Sequence, residues 1–249
     1  MTMTNQSNNL WLWANWPAPV HVRAGVSLRK GGVSLSPFDE LNLGLHVGDD
    51  VKNVLSNRNI LSQHLGLTSA PVWLDQIHST NIISLDDHTI TASADGSNTV
   101  KKNIACTIMT ADCVPILFCN AAGTKVAAIH AGWKGISSGI VEKAIHLFSR
   151  PDTIYAWIGP CISSDYYEVC KDVYGQFLDH KTILKTAFIK KDEDRWYCDL
   201  TKIIKTILEN EGVHQIYECG LCTYKMNKLF YSHRREGITG RQASMIWMQ

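Results

Sequence analysis

Two apolar segments joined by a short turn constrain the fold of this chain more than any other feature. Residues 114–119 and 125–130 are rich in strand-forming side chains, and the five residues between them include a glycine. Apolar runs separated by about three to five residues with a glycine are typical of a β-hairpin. A turn centred near Ala122 would place Cys113 roughly opposite His130, and Cβ atoms of opposed residues lie about 4.5–5.5 Å apart. The sequence therefore predicts a thiol and an imidazole together at the open end of a hairpin.

The composition of the 249-residue chain is that of a globular protein with a sizeable core, because 45% of its residues are hydrophobic and 19% are charged. A net charge of +1 provides no electrostatic basis for binding nucleic acid or an acidic membrane surface. No apolar run approaches the length of about 18 residues that a transmembrane helix requires. The N-terminus lacks the basic and apolar regions of a secretory signal, so we expect a cytoplasmic protein whose eight cysteines are reduced thiols.

The pattern of apolar residues predicts an α+β fold. We expect a single domain over residues 20–249, with mixed β-sheets flanked by helices, after a partly ordered N-terminal segment at residues 1–19. Apolar residues recur at helical intervals along Val51–Leu65, with Asp50 as the N-cap and Gly66 as the stop. The predicted helices are too few and too irregularly placed for a doubly wound or barrel fold.

The remaining predicted elements follow the same rules of periodicity. Short β-type runs predict strands over residues 20–28, 72–83, 104–109, 153–158, 215–217 and 229–232. Apolar residues at helical spacing predict helices over residues 136–148, 167–178 and 200–211. The turn-forming composition of residues 95–98 predicts a loop.

Three residues that are distant in the sequence supply ligands suited to a catalytic metal. His78 lies in one predicted strand, and Cys113 and His130 lie at the ends of the predicted hairpin. Three nitrogen and sulfur ligands with one open position are typical of catalytic zinc. The same residues permit a different chemistry, in which Cys113 is a nucleophile with a lowered pKa and a histidine is its base. In either scheme Asp112 could orient a histidine, or it could serve only as a loop residue.

Two further groups of residues could carry chemistry. Arginines bind anions through paired hydrogen bonds, although most arginines simply face solvent. The candidates are Arg29, Arg58, Arg234, Arg235 and Arg241. Cys219 and Cys222 are separated by two residues, a spacing found in metal and redox sites. Because the chain lacks a second such pair, we interpret these two cysteines as structural.

Eight short motifs occur along the chain in an order that resembles the YfiH/YlmD-type family. They are RKGGVS (29–34), LNLG (41–44), HVGD (46–49), NR (57–58), QIH (76–78), TADC (110–113), HAGW (130–133) and TGR (239–241). The resemblance runs from about residue 20 to the C-terminus, and the combination of motifs is highly specific. That family has been labelled polyphenol oxidase or laccase-domain proteins, and later members are described as purine nucleoside phosphorylases with adenosine deaminase activity.

The resemblance implies roles for five residues of this sequence. His78, Cys113 and His130 match the family's metal-binding and catalytic His-Cys-His set. Arg58 matches an arginine near the substrate, and Asn42 lies in a motif expected to border the substrate pocket. The family fold is α+β, with β-sheets flanked by helices, and it is similar to the cysteine-dependent deamidase domain of certain bacterial toxins.

Three positions depart from the family pattern. Ser79 follows His78 where glycine is usual, Lys134 follows Trp133 in place of arginine, and His233 stands where an aromatic residue usually precedes two arginines. Lys134 keeps the positive charge but loses the planar fork of a guanidinium. These changes bear on substrate preference and anion binding more than on the His-Cys-His set.

The resemblance therefore implies a zinc-dependent purine nucleoside phosphorylase that acts on adenosine and inosine, with adenosine deaminase and methylthioadenosine phosphorylase activities. Its partners would be a purine nucleoside and phosphate, with Arg58 or another basic group positioning the phosphate. His78, Cys113 and His130 would hold the zinc, with copper as the alternative metal. In deamination, metal-activated water would attack C6 of the purine.

Three other functions are open from the sequence. A copper-dependent polyphenol oxidase is a secondary hypothesis, because the chain has ten histidines and no His-x-His pair, whereas a multicopper cluster needs many converging imidazoles. A metal-free cysteine hydrolase or deamidase would be inactivated by thiol alkylation but not by chelators. A binding module without enzymatic activity would bind its ligand and leave nucleosides unchanged.

Overall fold

Short strands alternate with a few helices in the computed structural model, which describes residues 10–86, 93–180 and 182–249. The described strands are β1 (Trp11–Trp13), β2 (Val22–Ser27), β3 (Ile82–Ser84), β4 (Gly96–Thr99), β5 (Cys106–Thr110), β6 (Val114–Asn120), β7 (Val126–Ala131), β8 (Ile154–Ile158), β9 (Glu168–Cys170), β10 (Phe188–Lys190), β11 (Arg195–Cys198), β12 (Gln215–Glu218) and β13 (Gln242–Met248). The described helices are α1 (Val51–Leu65), α2 (Trp133–Ser137), α3 (Ile140–Ile145), α4 (Lys171–His180), α5 (Leu200–Asn210) and α6 (His233–Glu236).

The predicted hairpin, β6 and β7, lies in the middle of a six-stranded mixed sheet. The strand order of this sheet is β12-β8-β6-β7-β4-β3, with parallel pairing at both edges and antiparallel pairing between them. A four-stranded antiparallel sheet has the order β1-β2-β13-β5, and a small third sheet has the order β10-β11-β9. The single-domain α+β fold with mixed sheets is thus confirmed, whereas the similarity to toxin deamidases stays a prediction.

The central strands of the six-stranded sheet, β6 and β7, are buried on both faces. Along β6, Ile116 and Phe118 belong to a core that is shared with α3 and α5. The alternate residues Leu117 and Cys119 belong to a second core, which is shared with β2 and β13 of the four-stranded sheet. Side chains alternate between the two faces of a strand, so a strand that is covered on both sides presents neither set of side chains to solvent. This explains the uninterrupted apolar run that made the hairpin recognisable.

Helix α1 covers the outer face of the four-stranded sheet. Leu61 and Leu65 on the helix share a third core with Met245 and Trp247 on β13. The molecule is therefore built in four layers: α1, the four-stranded sheet, the six-stranded sheet, and the helices α3 and α5. Such layering is the usual way in which sheet faces and helix stripes bury their apolar surface.

The prediction of α1 is confirmed at both ends. The side chain of Asp50 accepts a hydrogen bond from the backbone N–H of Lys52 at 2.8 Å, as an N-cap residue does. Gly66 ends the helix in the left-handed conformation, with a φ of 63°. A residue with a Cβ atom is strained at that φ, which is why glycine commonly ends helices.

The prediction of one continuous helix over residues 136–148 is wrong. The chain forms two shorter helices, α2 and α3, because Gly139 adopts a φ of 91° between them. The apolar positions nevertheless face inward as predicted, and Ile136, Ile140 and Phe148 are all buried. Helical periodicity identified the buried side correctly but did not reveal the break.

The prediction of a strand over residues 72–83 is also wrong except at its end, where β3 begins at Ile82. The side chain of Gln76 takes the place of a backbone ladder. Its Nε2 donates to the carbonyl of Met109 at 2.8 Å, and its Oε1 accepts from the Met109 N–H at 2.7 Å. The amide of Gln76 thus satisfies the backbone hydrogen-bonding groups of Met109 at the edge of β5. Because no backbone pairing is needed there, the chain leading to His78 follows an irregular path.

Several smaller predictions need correction. Residues 95–98 are not a loop, because β4 begins at Gly96, and residues 167–178 start with β9 before α4 begins. Residues 229–232 do not form a strand, and the Tyr231 N–H donates to the side chain of Gln242 at 3.0 Å.

Of the predicted N-terminal segment, residues 1–9 lie outside the described residues, and β1 pairs with β2. None of the described helices combines the length and apolar character that crossing a membrane requires.

Candidate active site

The structure brings His78, Cys113 and His130 together. One ligand atom from each residue lies within 4.8 Å of the other two. The Cys113 Sγ atom is 3.9 Å from Nε2 of His78, and the centroids of the two imidazole rings are 4.8 Å apart. His130 is buried, Cys113 is half-buried and His78 is exposed, so the group opens to solvent on one side. These are nitrogen and sulfur donors of the kind that zinc and copper accept.

The predicted pairing of Cys113 with His130 is wrong by two residues. Pro115 is the partner of His130 in the hairpin. Asn120 still belongs to β6, which moves the centre of the turn towards the C-terminus. Cys113 nevertheless reaches the site, because residues two apart along an extended chain point to the same side. Asp112, with a φ of 97°, turns the chain just before the cysteine.

His130 is fixed by the residue beside it in the sheet, Asp95. The Nδ1 atom of His130 donates to Oδ1 of Asp95 at 2.8 Å, and the backbone N–H of His130 donates to the Asp95 carbonyl at 2.7 Å. Both side chains are buried. A carboxylate on one imidazole nitrogen leaves the other nitrogen, Nε2, to face the site, which is the usual arrangement behind a metal-binding histidine.

The same carboxylate also holds the loop that carries His78. Asp95 accepts hydrogen bonds from the backbone N–H groups of His78 at 3.0 Å and of Ser79 at 2.5 Å, and from the Ser79 hydroxyl at 2.7 Å. These bonds stabilise His78 at a φ of 60°, in the left-handed region. Sequence reasoning missed Asp95. The available signal was its position as the one charged residue in the segment 93–99.

Asp112 makes no hydrogen bond to a histidine among the described residues. Its Oδ1 accepts from the Thr223 hydroxyl and its Oδ2 from the backbone N–H of Arg234, each at 2.7 Å. The guanidinium of Arg234 in turn donates to the carbonyl of Glu168 at 2.9 Å. Asp112 therefore attaches the C-terminal part of the chain to the turn that presents Cys113.

The thiol and the two imidazoles change each other's ionisation. Burial alone would raise the pKa of Cys113, but His130 and His78 beside the sulfur outweigh it and lower the pKa to about 6. Burial alone would lower the pKa of His130, but Cys113 and Asp95 raise it to about 9. Without a metal, the pair is therefore a thiolate beside an imidazolium near neutral pH. A thiolate is the form of cysteine that binds metals and acts as a nucleophile.

Gly132 leaves room at the centre of this group. A Cβ atom at residue 132 would lie 2.8 Å from Cδ2 of His78 and 3.2 Å from Sγ of Cys113. A side chain there would displace at least one of the two. The donor set and the space kept free by this glycine both fit a metal ion with three protein ligands and an open position.

The structure separates the candidate arginines by their charged partners. Arg29 and Arg235 both pair with the carboxylate of Glu236. In the part of the chain that the structure describes, Arg58 and Arg241 make no ion pair. Burial lowers the pKa of Arg58 to about 10 and also lowers the pKa of Arg241. Within the described residues, these two guanidiniums are therefore partly desolvated charges that form no salt bridge, and Arg241 is affected by Cys113 and Asp112 only through their charges.

Asn42 is a buried residue that connects two segments of the chain. It is fully buried, and its Oδ1 accepts from the backbone N–H groups of Gly44 at 3.0 Å and of Arg241 at 2.9 Å. Its Nδ2 donates to Oδ2 of Asp49 at 2.9 Å. The amide thus connects residues 42–49 to the segment that carries Arg241, and it has no surface to offer a substrate directly.

Two of the positions that depart from the family pattern make their own contacts. The Ser79 hydroxyl adds a hydrogen bond to Asp95 that glycine could not make. The Nζ atom of Lys134 lies 5.7 Å from the ring centroid of Trp133, and that ring packs against the core. These positions therefore alter the support of the site and leave the three converging ligands in place.

The two cysteines of the CxxC motif are free thiols, as are the other six cysteines. The Sγ atom of Cys222 accepts hydrogen bonds from the backbone N–H of Ser163 at 3.3 Å and from its hydroxyl at 3.1 Å. Cys219 is half-buried. Within the described residues, neither belongs to a group of three possible metal ligands.

A comparison with known proteins shows that all the site residues lie within the part of the chain that matches one family. The family model described as "Multi-copper polyphenol oxidoreductase laccase" matches residues 23–249 of this chain. This range contains all three converging ligands together with Asn42 and Arg58.

Relatives and a solved structure agree with that match. The chain is 41% identical over 243 residues to a protein of Pseudomonas aeruginosa named purine nucleoside phosphorylase, covering 97% of this chain and 99% of the relative. It is 42% identical over 235 residues to "Purine nucleoside phosphorylase YfiH" of Escherichia coli, covering 94% and 96%. A crystal structure of a Neisseria meningitidis protein superposes with a TM-score of 0.91 at 40% identity, covering 96% of this chain and 99% of the other.

Proposed function

The chain belongs to the YfiH-type family described as multi-copper polyphenol oxidoreductase laccase, and from this premise we propose that it is a zinc-dependent purine nucleoside phosphorylase. Relatives of about this chain's length that are around 40% identical carry the name purine nucleoside phosphorylase. The observation that carries the proposal is the convergence of His78, Cys113 and His130 within 4.8 Å. We propose that these three residues hold the metal and that adenosine and inosine are the substrates.

The three ligands suit zinc better than a copper cluster. Within the described residues they form one group of three possible metal ligands, whereas multicopper oxidation needs several metals held by many imidazoles. When bound, zinc would supply Lewis-acid activation at the open position. Asp95 would hold the His130 ring so that Nε2 is available as a ligand, and the loop it stabilises would supply His78 as the ligand on the solvent side.

Phosphorolysis breaks the bond between C1′ of the ribose and the purine nitrogen and forms a bond between C1′ and a phosphate oxygen. The purine leaves with the electron pair and takes up a proton. The enzyme must place phosphate on one face of the sugar and stabilise the charge that develops on ribose and base. We assign the binding of phosphate to Arg58, because its guanidinium is positively charged, partly desolvated and without a carboxylate partner in the described structure.

Adenosine deamination and methylthioadenosine phosphorolysis are proposed as further activities of the same site. Deamination needs a water molecule activated near C6 of the purine, and methylthioadenosine phosphorolysis needs room for a methylthio group at C5′ of the ribose. Both would use the three ligands assigned above. Their products, inosine and methylthioribose 1-phosphate, distinguish them from the main reaction.

One observation favours a second candidate function, a metal-free cysteine hydrolase. The lowered pKa of Cys113 and its contact with His78 are what a cysteine nucleophile with a histidine base requires. The two functions differ in their response to a chelator. A zinc phosphorylase loses its activity on metal removal and regains it with zinc, whereas a cysteine hydrolase keeps its activity until the thiol is alkylated.

The test is to incubate purified protein of known metal content with adenosine or inosine, with and without phosphate, and to identify the products. We expect free base and ribose 1-phosphate only when phosphate is present. His78→Ala should lower both zinc content and turnover, whereas His64→Ala, at an exposed position near the end of α1, should change neither. Turnover that is independent of phosphate, or equal in metal-free protein, would contradict the proposal.

A further inference from the structure

Arg58 and Arg241 are attached to the same loop residue, Leu43, from two different parts of the chain. The Nε and Nη2 atoms of Arg58, on α1, donate to the Leu43 carbonyl at 3.0 and 2.8 Å. The Leu43 N–H donates to the Arg241 carbonyl at 3.1 Å. Leu43 itself is fully buried, so its position is fixed by packing. The loop therefore sets the distance between the two arginines.

The guanidinium of Arg58 is stacked on a tryptophan ring and hydrogen-bonded through two of its three nitrogens. Its central carbon lies 3.9 Å from the ring centroid of Trp73, and two of its nitrogens are occupied by the Leu43 carbonyl. The remaining nitrogen, Nη1, has no hydrogen-bond partner among the described residues. A rigid, stacked guanidinium with free N–H groups is well suited to bind an oxyanion.

The guanidinium of Arg241 is held by the backbone carbonyls of the two residues that precede it. Its Nη1 donates to the carbonyls of Thr239 at 3.1 Å and Gly240 at 3.0 Å, which leaves Nε and Nη2 without a partner in the described structure. The stem of the side chain crosses Gly44, where a Cβ atom would lie 2.8 Å from Cγ of Arg241. The missing side chain at residue 44 is thus what allows Arg241 to take this path.

Arg58 and Arg241 lie in the same region of the molecule. The pKa of His46 is lowered chiefly by burial and then by the charge of Arg241, which Asp75 opposes, with smaller lowering effects from Arg58 and His130. The Nη2 atom of Arg58 lies 4.0 Å from Sδ of Met109, and Met109 is bonded to Gln76, two residues before His78. Gln242, which follows Arg241, pairs with Thr110, three residues before Cys113. Both arginines therefore lie beside the end of β5, next to the segments that lead to His78 and Cys113.

Two of the arginines that have structural roles are paired with carboxylates. Glu236 pairs with both Arg29 and Arg235, and Arg29 also pairs with Asp39. A desolvated charge that forms no ion pair is costly, and within the described residues Arg58 and Arg241 are two such charges beside one loop. A bound anion would remove that cost at Arg58 and Arg241.

We propose that Arg58 and Arg241, spaced by the loop at Leu43 and Gly44, form a two-arginine site for a tetrahedral oxyanion beside the His-Cys-His group. The proposal rests on the proposed function only for the identity of the anion, which would be inorganic phosphate as substrate and the phosphate of ribose 1-phosphate as product. It adds Arg241 as a second anion-binding residue and Gly44 as the residue that positions it.

The test is to titrate inorganic phosphate into the zinc-loaded protein in a calorimeter, without nucleoside. Arg58→Gln and Arg241→Gln should each weaken phosphate binding about tenfold or more, because each removes hydrogen bonds to a charged group. Gly44→Ala should weaken it as well, although it keeps every charge. Arg23→Gln is the matched control, since Arg23 is also stacked on a tryptophan, Trp13 at 4.1 Å, but lies on β2.

Further experiments distinguish phosphate binding at the two arginines from a loss of folding and from phosphate binding at zinc. Sulfate should compete with phosphate, and ribose 1-phosphate should bind with the same dependence on Arg241. Thermal unfolding checks that the variants fold, and Arg241→Lys, which keeps the charge but loses the fork, replaces Arg241→Gln if that variant is unfolded. Unchanged phosphate affinity in folded Arg241 and Gly44 variants would overturn the proposal, as would binding that disappears on zinc removal but is insensitive to both arginines.

The outcome for the anion site is distinguishable from that for the activity. Phosphate binding that depends on both arginines, in a protein that does not cleave nucleosides, would support the anion site and reject phosphorolysis. Phosphate-dependent cleavage with no effect of Arg241 on phosphate affinity would reject the anion site and leave the activity standing.

Discussion

The carboxylate of Asp95 accepts a 2.8 Å hydrogen bond from Nδ1 of His130 and a 3.0 Å hydrogen bond from the backbone N–H of His78. One buried side chain thus orients two of the three proposed metal ligands. His130 lies in the adjacent strand, whereas His78 lies in a loop that the carboxylate stabilises through its backbone. The geometry of the site therefore depends on a residue that does not itself reach the open position.

Asp95→Asn should reduce zinc affinity by about 10- to 100-fold, the usual effect of removing the carboxylate behind a histidine ligand. An amide keeps the size of the side chain but has only one acceptor oxygen, whereas the hydrogen bonds to Asp95 use both carboxylate oxygens. Competition with a zinc chelator measures the affinity. Asp86→Asn is the control, because Asp86 also accepts a hydroxyl hydrogen bond, from Thr99 at 2.6 Å, outside the site. Equal zinc affinity in Asp95→Asn and the unmodified protein would remove this role.

Cys113→Ala should abolish phosphate-dependent cleavage of inosine while the protein stays folded, because it removes the thiolate from the proposed ligand set. The assay is the release of hypoxanthine, with circular dichroism as the check on folding. Cys170→Ala changes an exposed thiol on β9 and should retain full activity. Cleavage at the normal rate by the Cys113 variant would show that the reaction takes place elsewhere.

Gly132→Ala should disturb the site through its shape alone. The added Cβ would lie 2.8 Å from His78 and 3.2 Å from Cys113, so we expect at least tenfold weaker zinc binding, a cost of about 1.4 kcal/mol and within the range of overpacking. Gly175→Ala in α4 is the matched control, because no atom lies within 4 Å of its added Cβ. There the substitution should leave zinc binding unchanged and favour the helix. Identical behaviour of the two variants would contradict the crowded geometry.

Alkylation of Cys113 in the metal-free protein should follow a pKa of about 6, because His130 and His78 favour the thiolate. The thiolate forms as pH rises through that value, so iodoacetamide should react at a nearly constant rate above about pH 7 and about ten times more slowly at pH 5. Mass spectrometry of the labelled peptide measures the rate. N-acetylcysteine as a reference thiol should still be accelerating at pH 8. A Cys113 profile that matches the reference would contradict the ion pair.

Local features of the fold were predictable from the sequence. The hairpin and α1 depend on neighbouring residues, and the cap at Asp50 and the stop at Gly66 are visible in the sequence. The break at Gly139 was missed because the apolar periodicity continues across it. The strand predicted through residues 72–83 failed because a side chain, that of Gln76, bonds to the β5 edge in place of the backbone. Periodicity carries no information about such a contact.

The site was predictable only in part for a similar reason. The hairpin suggested that Cys113 and His130 lie close together, although the register was two residues off. His78 was joined to them by the family resemblance, since no local pattern indicates where a loop folds. Asp95 and Arg241 act through contacts with residues 35 and 199 positions away, respectively, and these depend on the assembled sheets.

The central claim is that three distant side chains hold one zinc ion, and anomalous diffraction at the zinc absorption edge tests it most directly. For crystals of protein purified without added metal, the account predicts one peak per chain. That peak should lie between Nε2 of His130, Sγ of Cys113 and the ring of His78, and it should be absent in Cys113→Ala. A chain that cleaves inosine with phosphate yet shows no anomalous peak at this position would contradict the account.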